Sequence, residues 1–511
     1  MTAGAQFRGG QEEPFCRRER SLRRQHVSLT AASRGRCSTG MPAKKKLLVI
    51  LGAGSSAEQG FPIASDLDGE VRQWARDYVK RLGRDPIESL SAQTHADYFN
   101  LLWSNRENYS ADLSSELKSF TEPRTAPNYE RVLGDLHVLM NAVLAKPYGD
   151  PIFKWIPQAD VFASLKIRPD STDLDGHASG KVFHAIQGQL HYLCARIATR
   201  IRDCSRRFEL ELENDRGTAA FNPYQRLLTT LTEQFSVGVY NLNHDTVALN
   251  ALPNAFVGFD RQRGAFQPTQ ILSRKQWDFL YHLHGSVHHR IRVGSREQEH
   301  DDFGLKVVWH DDLSQTGDGE DWEDIKDVRL AADGKRILPT SLVTGGLKLD
   351  QLQEEPFLTL YSVLTHHAYQ ADAILIGGYG FADPHINAVI HQVLRSKAVG
   401  RRRPPVLVVT RRLQGAPTAK RHDPWINALG QTLRVPPVTF RAPEHLAQRQ
   451  WTELPETMTT AGFERSMHAP VAIWNGGFQT AETRLEDIVK WLRGESHALD
   501  HGVRKSTRRV K

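Results

Sequence analysis

The chain has 511 residues, of which 40% are hydrophobic and 24% are charged, and its formal net charge is +7. This composition is typical of a globular protein, and the length suffices for one large core or for two to three ordinary domains. No apolar run reaches the roughly 20 residues that a membrane-spanning helix needs. The sequence therefore predicts no transmembrane segment.

The positive charge is concentrated at the two ends of the chain. Residues 1–40 carry eight Arg and three Glu, and residues 501–511 form a basic tail with five basic residues and no acid. The body between them is net negative, so only the tails and Arg401 to Arg403 suggest nucleic-acid binding. Residues 1–40 show neither periodicity nor a secretion signal, and we predict a disordered leader with Met41 as the functional start.

The four cysteines are Cys16, Cys37, Cys194 and Cys204, and none belongs to a C-x-x-C pair. This pattern favours a reducing, cytoplasmic setting and argues against a cysteine-bound zinc.

An apolar run at residues 47–51 leads directly into a glycine turn. A continuous run is typical of a parallel strand that is covered on both faces. Gly52, Gly54 and Ala57 then satisfy the G-x-G-x-x-G/A spacing, which allows a diphosphate to approach the backbone. By itself the motif also fits an ordinary strand-to-helix turn. Residues 70–82 have helical spacing where a dehydrogenase would place its second strand, which disfavours that class of enzyme.

The remaining patterns predict an α/β fold: a Rossmann-like parallel sheet with helices on both faces, a helical insertion and no zinc module. We place the main α/β domain at residues 41–445 with the helical insertion at about 70–230, followed by a C-terminal extension at 446–500. The spacing predicts helices over 128–145 and 181–199, and an amphipathic helix at Leu485, Ile488, Val489 and Leu492 that stops at Gly494. Residues 311–327 are predicted to be a loop. Strands are predicted at residues 235–242, 255–259, 277–283, 307–309, 373–377 and 405–410.

Three of these strands are followed by polar clusters, where open α/β sheets bind ligands. The clusters are Asn241 to Asp245, His282 to Ser286, and Gly377 to His385.

With the glycine turn, these clusters make the chain resemble the sirtuin-like superfamily, and more closely its bacterial NAD-consuming defence branch. The motifs that carry the resemblance are Gly52-Ala53-Gly54-Ser55-Ser56 with Gly60-Phe61-Pro62, Asn243-His244-Asp245, His284-Gly285, and Gly378-Tyr379 through Asp383-Pro384-His385. The resemblance covers about residues 44–410. The chain has Ala64-Ser65 where deacylating sirtuins have Phe-Arg, and it lacks their four-cysteine zinc module.

The resemblance implies that NAD is the substrate, with catalytic roles for Asn243, His284 and Asp245. An amide can donate and accept hydrogen bonds at once, and an imidazole titrates near neutrality, so these groups suit holding and deprotonating a water. NAD-binding roles are implied for Gly52, Ala53, Gly54, Ser55, Ser56, Pro62, Gly378, Tyr379 and Asp383. Asp383 is predicted to bind a ribose diol or to orient a partner group.

A metal site at His282, His284, His288 and His289 is a weaker interpretation. No Asp, Glu or Cys stands at a recognised ligand spacing from them, so no metal is predicted.

The sequence therefore predicts an NAD glycohydrolase that yields nicotinamide and ADP-ribose. The resemblance implies a gated, homo-oligomeric abortive-infection effector against phage, with a HerA-type hexameric ATPase as partner or, alternatively, an Argonaute-like protein. An NAD-dependent protein deacylase and a non-catalytic subunit that senses NAD or ADP-ribose remain alternative functions.

Overall fold

The fold was obtained as a computed structural model. It describes residues 43–82, 103, 128–144, 178–214, 218–293, 305–316, 329–330, 336–337, 342, 352, 354–397, 403–411, 424–435, 463–465 and 469–495. The predicted leader at 1–40 and the basic tail at 501–511 lie outside these residues, as do Cys16, Cys37, Arg401 and Arg402.

The described residues form eleven strands and eleven α-helices. The strands are β1 (Lys46–Leu51), β2 (Ser236–Asn241), β3 (Asp278–His282), β4 (His289–Val293), β5 (Leu305–Trp309), β6 (Arg329–Leu330), β7 (Arg336–Ile337), β8 (Ala373–Gly377), β9 (Val406–Val409), β10 (Phe463–Arg465) and β11 (Val471–Trp474). The described α-helices are α1 (Ala64–Leu82), α2 (Tyr129–Leu144), α3 (Ala178–Glu213), α4 (Thr218–Gln234), α5 (Val247–Ala251), α6 (Pro268–Ser273), α7 (Phe357–Gln370), α8 (Pro384–Lys397), α9 (Pro424–Leu433), α10 (Gly477–Ala481) and α11 (Leu485–Leu492).

Seven strands form one sheet in the order β10-β11-β9-β8-β1-β2-β3. All neighbours from β11 to β3 pair in parallel, and β10 adds an antiparallel edge. The predicted α/β fold with a parallel sheet is confirmed. Strands β4 with β5 and β6 with β7 form two separate antiparallel pairs.

Strand β1 lies in the middle of the sheet and is buried on both faces. Leu47, Val49 and Leu51 pack into one apolar core, which also contains residues of α4 and α11. Leu48 and Ile50 pack into the opposite core, with residues of α7, α8 and α9. This double burial explains why the run is continuous rather than alternating. A third core joins α1, α2 and α3 within the predicted helical insertion.

The prediction of a strand at 255–259 is wrong. Only single bridges form there, from Phe256 to Phe279 and from Phe259 to Phe266. Gly258 interrupts the extended chain with a φ of 90°, so the segment turns away after one bridge to the sheet edge. The predicted strand at 307–309 exists as part of β5 but pairs with β4 outside the parallel sheet.

The end of the chain contributes more to the sheet than the sequence patterns predicted. Strands β10 and β11 lie within residues 446–500, and β11 pairs with β9. The predicted terminal helix is α11, and Gly494 follows it with a φ of 74°. Of the predicted loop at 311–327, the described part includes a short 3-10 helix at Leu313–Thr316. No helix among the described residues has the length and hydropathy required to cross a bilayer.

The turns that follow β1 and β8 pack backbone against backbone. The N–H groups of Gly52 and Gly54 donate hydrogen bonds to the carbonyl oxygens of Gly377 and Gly378, respectively, each with an N···O distance of 2.9 Å. Gly378 has a φ of 59°, and a Cβ at this position would lie 2.0 Å from the Ser55 nitrogen. A side chain therefore has no room at this contact.

We predict that Gly378→Ala destabilises the protein by about 3 kcal/mol or more, because it adds a backbone clash to a left-handed conformation. Gly380→Ala is the matched control, since Gly380 is exposed and a Cβ there would have no neighbour within 4 Å. The free energy of unfolding from urea denaturation measures both changes. Equal stability of the two variants would contradict the packing argument.

Candidate active site

The predicted site residues lie at the carboxyl edge of four neighbouring strands. Leu51 at the end of β1 is paired with Gly377 in β8 and with Asn241 in β2, and Asn241 is paired with His282 in β3. The glycine turn, Asn243, His284 and Asp383 follow these strand ends. The parallel register therefore brings together four segments that are far apart in the sequence.

Asn243 is hydrogen-bonded to the glycine turn. Its Nδ2 lies 3.0 Å from the Ser55 Oγ and 3.2 Å from the Ser56 Oγ. All three residues are buried, and the Asn243 Oδ1 is a buried acceptor with no hydrogen-bond partner. A buried acceptor of this kind costs free energy unless a ligand or water satisfies it, so it marks a binding position.

Asp245 lies behind this pair of residues. Its Oδ2 accepts a 2.6 Å hydrogen bond from Ser56 Oγ, and its Oδ1 accepts one from the Val247 N–H, which begins α5. Burial raises the pKa of the Asp245 carboxyl to about 6, although both hydrogen bonds act in the opposite direction. The carboxyl is therefore mostly ionised at pH 7 but close to its titration range.

His284 forms a pair with Asp383. The imidazole Nε2 lies 3.0 Å from the Asp383 Oδ2, and both side chains are buried. The other oxygen of Asp383 accepts hydrogen bonds from the N–H groups of His385 and Ile386, at the start of α8. The Tyr379 hydroxyl lies 3.1 Å from the Asp383 carbonyl oxygen, which ties the turn after β8 to this helix start.

Exposure differs sharply across the site. Ala53 and Gly54 are exposed at the surface of the glycine turn, whereas Ser55, Asn243 and His284 are buried. Pro62 is half-buried and connects this turn to α1. The N–H groups of Gly52 and Gly54 bond to the turn after β8, so close backbone packing is the first reason for these glycines.

Two tyrosines extend the site and were not predicted from the sequence. Tyr224 of α4 is buried next to Asp245 and hydrogen-bonds Ser55, and burial raises the pKa of its hydroxyl. Tyr361 of α7 interacts with the Asp383 charge, and its hydroxyl is a buried group with no hydrogen-bond partner. Both come from helices without a local motif, so no sequence signal distinguished them from core tyrosines.

His282 and His288 pack beside the site as neutral rings. The His282 Nδ1 lies 3.2 Å from the Asn243 carbonyl oxygen, and the His288 Nδ1 lies 2.9 Å from the His310 carbonyl oxygen. Burial lowers the pKa of His282 to about 3 and that of His288 to about 4. Within the described part of the chain, no three His, Cys, Asp or Glu side chains are grouped to hold a metal ion.

Residues 237–430 match the SIR2-like domain. The match begins in β2 and ends in α9, so it contains Asn243, Asp245, His284 and Asp383 but not the glycine turn. It spans less than half of the chain. SIR2-like domains use NAD, and the match therefore implies an NAD-related activity. No curated protein matches the chain.

We predict that Asp245→Asn stabilises the protein at pH 7.5 by up to about 2 kcal/mol, because it removes a buried charge. The wild-type carboxyl has a pKa of about 6 in the fold and 3.8 as its ordinary value. Between these values the folded protein binds the extra proton, so the wild type loses stability as the pH rises. The advantage of the variant should disappear near pH 4.

Urea denaturation at pH 4 and pH 7.5 measures this difference. Asp203→Asn is the control, because Asp203 is exposed on α3, and we expect changes within about 0.5 kcal/mol. An Asp245→Asn variant that is less stable than the wild type at both pH values would contradict the prediction.

Proposed function

We propose that the chain is an NAD glycohydrolase that converts NAD and water to nicotinamide and ADP-ribose. The observation that carries the proposal is the buried Asn243 Oδ1, which has no hydrogen-bond partner and lies on the same sheet edge as His284. The Nδ2 of the same amide is hydrogen-bonded to the glycine turn. The match of residues 237–430 to a SIR2-like domain supports the choice of NAD as substrate.

The chemistry needs few protein groups. Nicotinamide is bound to ribose as a cation, so it leaves as a neutral molecule without a general acid. Water then forms the new bond to the anomeric carbon, and its proton must go to a base. Asn243 would accept a hydrogen bond from this water through Oδ1, and His284 would accept the proton and return it to solvent.

The exposure gradient fits the two ends of the substrate. The charged diphosphate would lie over Ala53 and Gly54, which are exposed, while the reacting ribose would reach the buried Asn243 and His284. A buried reaction site strengthens electrostatic stabilisation of the developing positive charge on the ribose. By the sequence resemblance, Asp245 would contact the nicotinamide carboxamide.

The test is to incubate the purified full-length chain with NAD and to measure free nicotinamide and ADP-ribose by chromatography. We expect Asn243→Ala and His284→Ala to lower turnover by at least about 100-fold. Asn214→Ala and His366→Ala are the matched controls, since both residues are exposed and neither is a predicted site residue; Asn214 directly follows α3 and His366 lies on α7. Full turnover in either site variant would refute the assignment.

The same assay separates the alternative functions. Nicotinamide release that requires an acyl-lysine peptide would identify a deacylase. Binding of NAD by calorimetry, without release under any condition tested, would identify a sensing subunit.

We extend the proposal to a gated effector of anti-phage defence, because an unregulated enzyme of this kind would consume the NAD of its own cell. The gate would be assembly of several copies with a partner, for which a HerA-type ATPase or an Argonaute-like protein are the candidates. The purified chain is then expected to turn over NAD slowly, and cells expressing it should lose NAD only after phage infection. Depletion of cellular NAD without infection would contradict gating.

A further inference from the structure

The hydrogen bond between Ser56 and Asp245 has a defined direction. The Ser56 Oγ lies 2.6 Å from the Asp245 Oδ2, and both groups are buried. An ionised carboxylate can only accept, so the hydroxyl must donate its single proton. The competing acceptor, the Ala53 carbonyl oxygen, is 3.3 Å away and uncharged. Short hydrogen bonds to a charged acceptor are the stronger ones.

This direction determines how Asn243 is oriented. Because its proton is given to Asp245, the Ser56 Oγ can only accept from the amide that lies 3.2 Å away. An amide donates through nitrogen alone, so Nδ2 must face Ser56 and Oδ1 must point elsewhere. Ser55 holds the same nitrogen at 3.0 Å. Two hydroxyl groups therefore fix the amide on one side, and the unpaired Oδ1 is on the other.

We propose that Ser56 is a positioning residue, which links the charge of Asp245 to the amide of Asn243 and fixes Oδ1 as the acceptor for the attacking water. The proposal rests on the proposed NAD hydrolysis. It gives Ser56 a role different from the direct NAD contact that the sequence motif predicts. If the hydroxyl direction were reversed, the amide could turn over and present N–H groups, which cannot accept a hydrogen bond from water.

The kinetic test uses Ser56→Ala in the full-length chain. Loss of positioning should lower kcat by about 100-fold, while KM for NAD and the calorimetric Kd for ADP-ribose stay within about twofold because no substrate contact is lost. Ser273→Ala is the control, since Ser273 is exposed on α6, and its kinetics should match the wild type. A tenfold rise in KM or Kd with kcat retained would identify a direct substrate contact and overturn the proposal. Unchanged kinetics would also overturn it.

A double-mutant cycle tests the connection with Asp245. If Ser56 transmits the effect of the carboxylate on Asn243, both single substitutions disturb the same amide orientation. The loss of kcat that arises from this disturbance then occurs only once in the double variant. Ser56→Ala combined with Asp245→Asn should then lower kcat by clearly less than the product of the two single effects. Multiplicative effects would overturn the connection.

A spectroscopic readout separates this proposal from the proposed function. In protein labelled with ¹⁵N-asparagine, the Asn243 side-chain amide is identified by its absence in Asn243→Ala. Its protons should exchange slowly in the wild type and at least about tenfold faster in Ser56→Ala, because a protecting acceptor is removed. If the protein releases no nicotinamide but this change occurs, NAD hydrolysis fails and the amide positioning stands. Equal exchange in both proteins would refute the positioning role.

Discussion

The close approach of two backbone turns is the constraint on which the rest of the site depends. The turns after β1 and β8 can meet only because Gly52, Gly54 and Gly378 carry no side chains where they touch. Ser55 and Ser56 are almost fully buried beside this contact. Because water cannot reach their hydroxyl groups, these groups need hydrogen-bond partners within the protein. Asn243 and Asp245 provide those partners. The glycine motif therefore has a packing role in addition to the phosphate-binding role that the sequence predicts.

Burial also explains the energetic character of the site. Asp245 has two hydrogen bonds, yet desolvation dominates and leaves its carboxyl with a raised pKa. A charge in such a position costs free energy, and proteins retain it mainly where the charge has a function. Asn243 adds a second cost, because its Oδ1 is buried without a partner. Both costs occur within one hydrogen-bonded cluster, which is typical of a binding site rather than of an apolar core.

The sequence predicted those parts of the fold that depend on local patterns. Double burial produces a continuous apolar run in β1, and the same signal predicted β8 and β9 correctly. Strand β11 was missed although Val471–Trp474 is an apolar run that leads into Asn475-Gly476, because a run of four residues is a weak local signal and its place in the sheet is decided by pairing with β9. The opposite error is the strand predicted at residues 255–259. Phe256 and Phe259 have high β propensity, but Gly258 turns the chain between them.

Local patterns predicted the polar residues of the site and their place at the carboxyl ends of the strands, but not the hydrogen bonds between them. Asn243 and His284 follow strand ends, and the register of parallel strands alone brings these ends to one edge. The bond from Ser56 to Asp245 joins residues 189 positions apart, and no spacing rule encodes it. Tyr224 and Tyr361 reach the site from helices on opposite faces of the sheet, so their participation depends on tertiary packing alone.

In both halves of the site, the Asn243 half and the His284 half, a buried carboxylate interacts with the proposed catalytic side chain. Asp245 acts on Asn243 through a serine hydroxyl, and Asp383 contacts the His284 imidazole directly at 3.0 Å. The second carboxylate is held by two backbone N–H groups on its other oxygen, so both of its oxygens are used within the protein. Two roles are predicted for Asp383, which are to bind a ribose diol or to orient a partner group. This geometry favours the second role, with His284 as the group that is oriented. In the proposed reaction each group that touches the water would then have a buried carboxylate behind it, one fixing an acceptor and the other fixing a base.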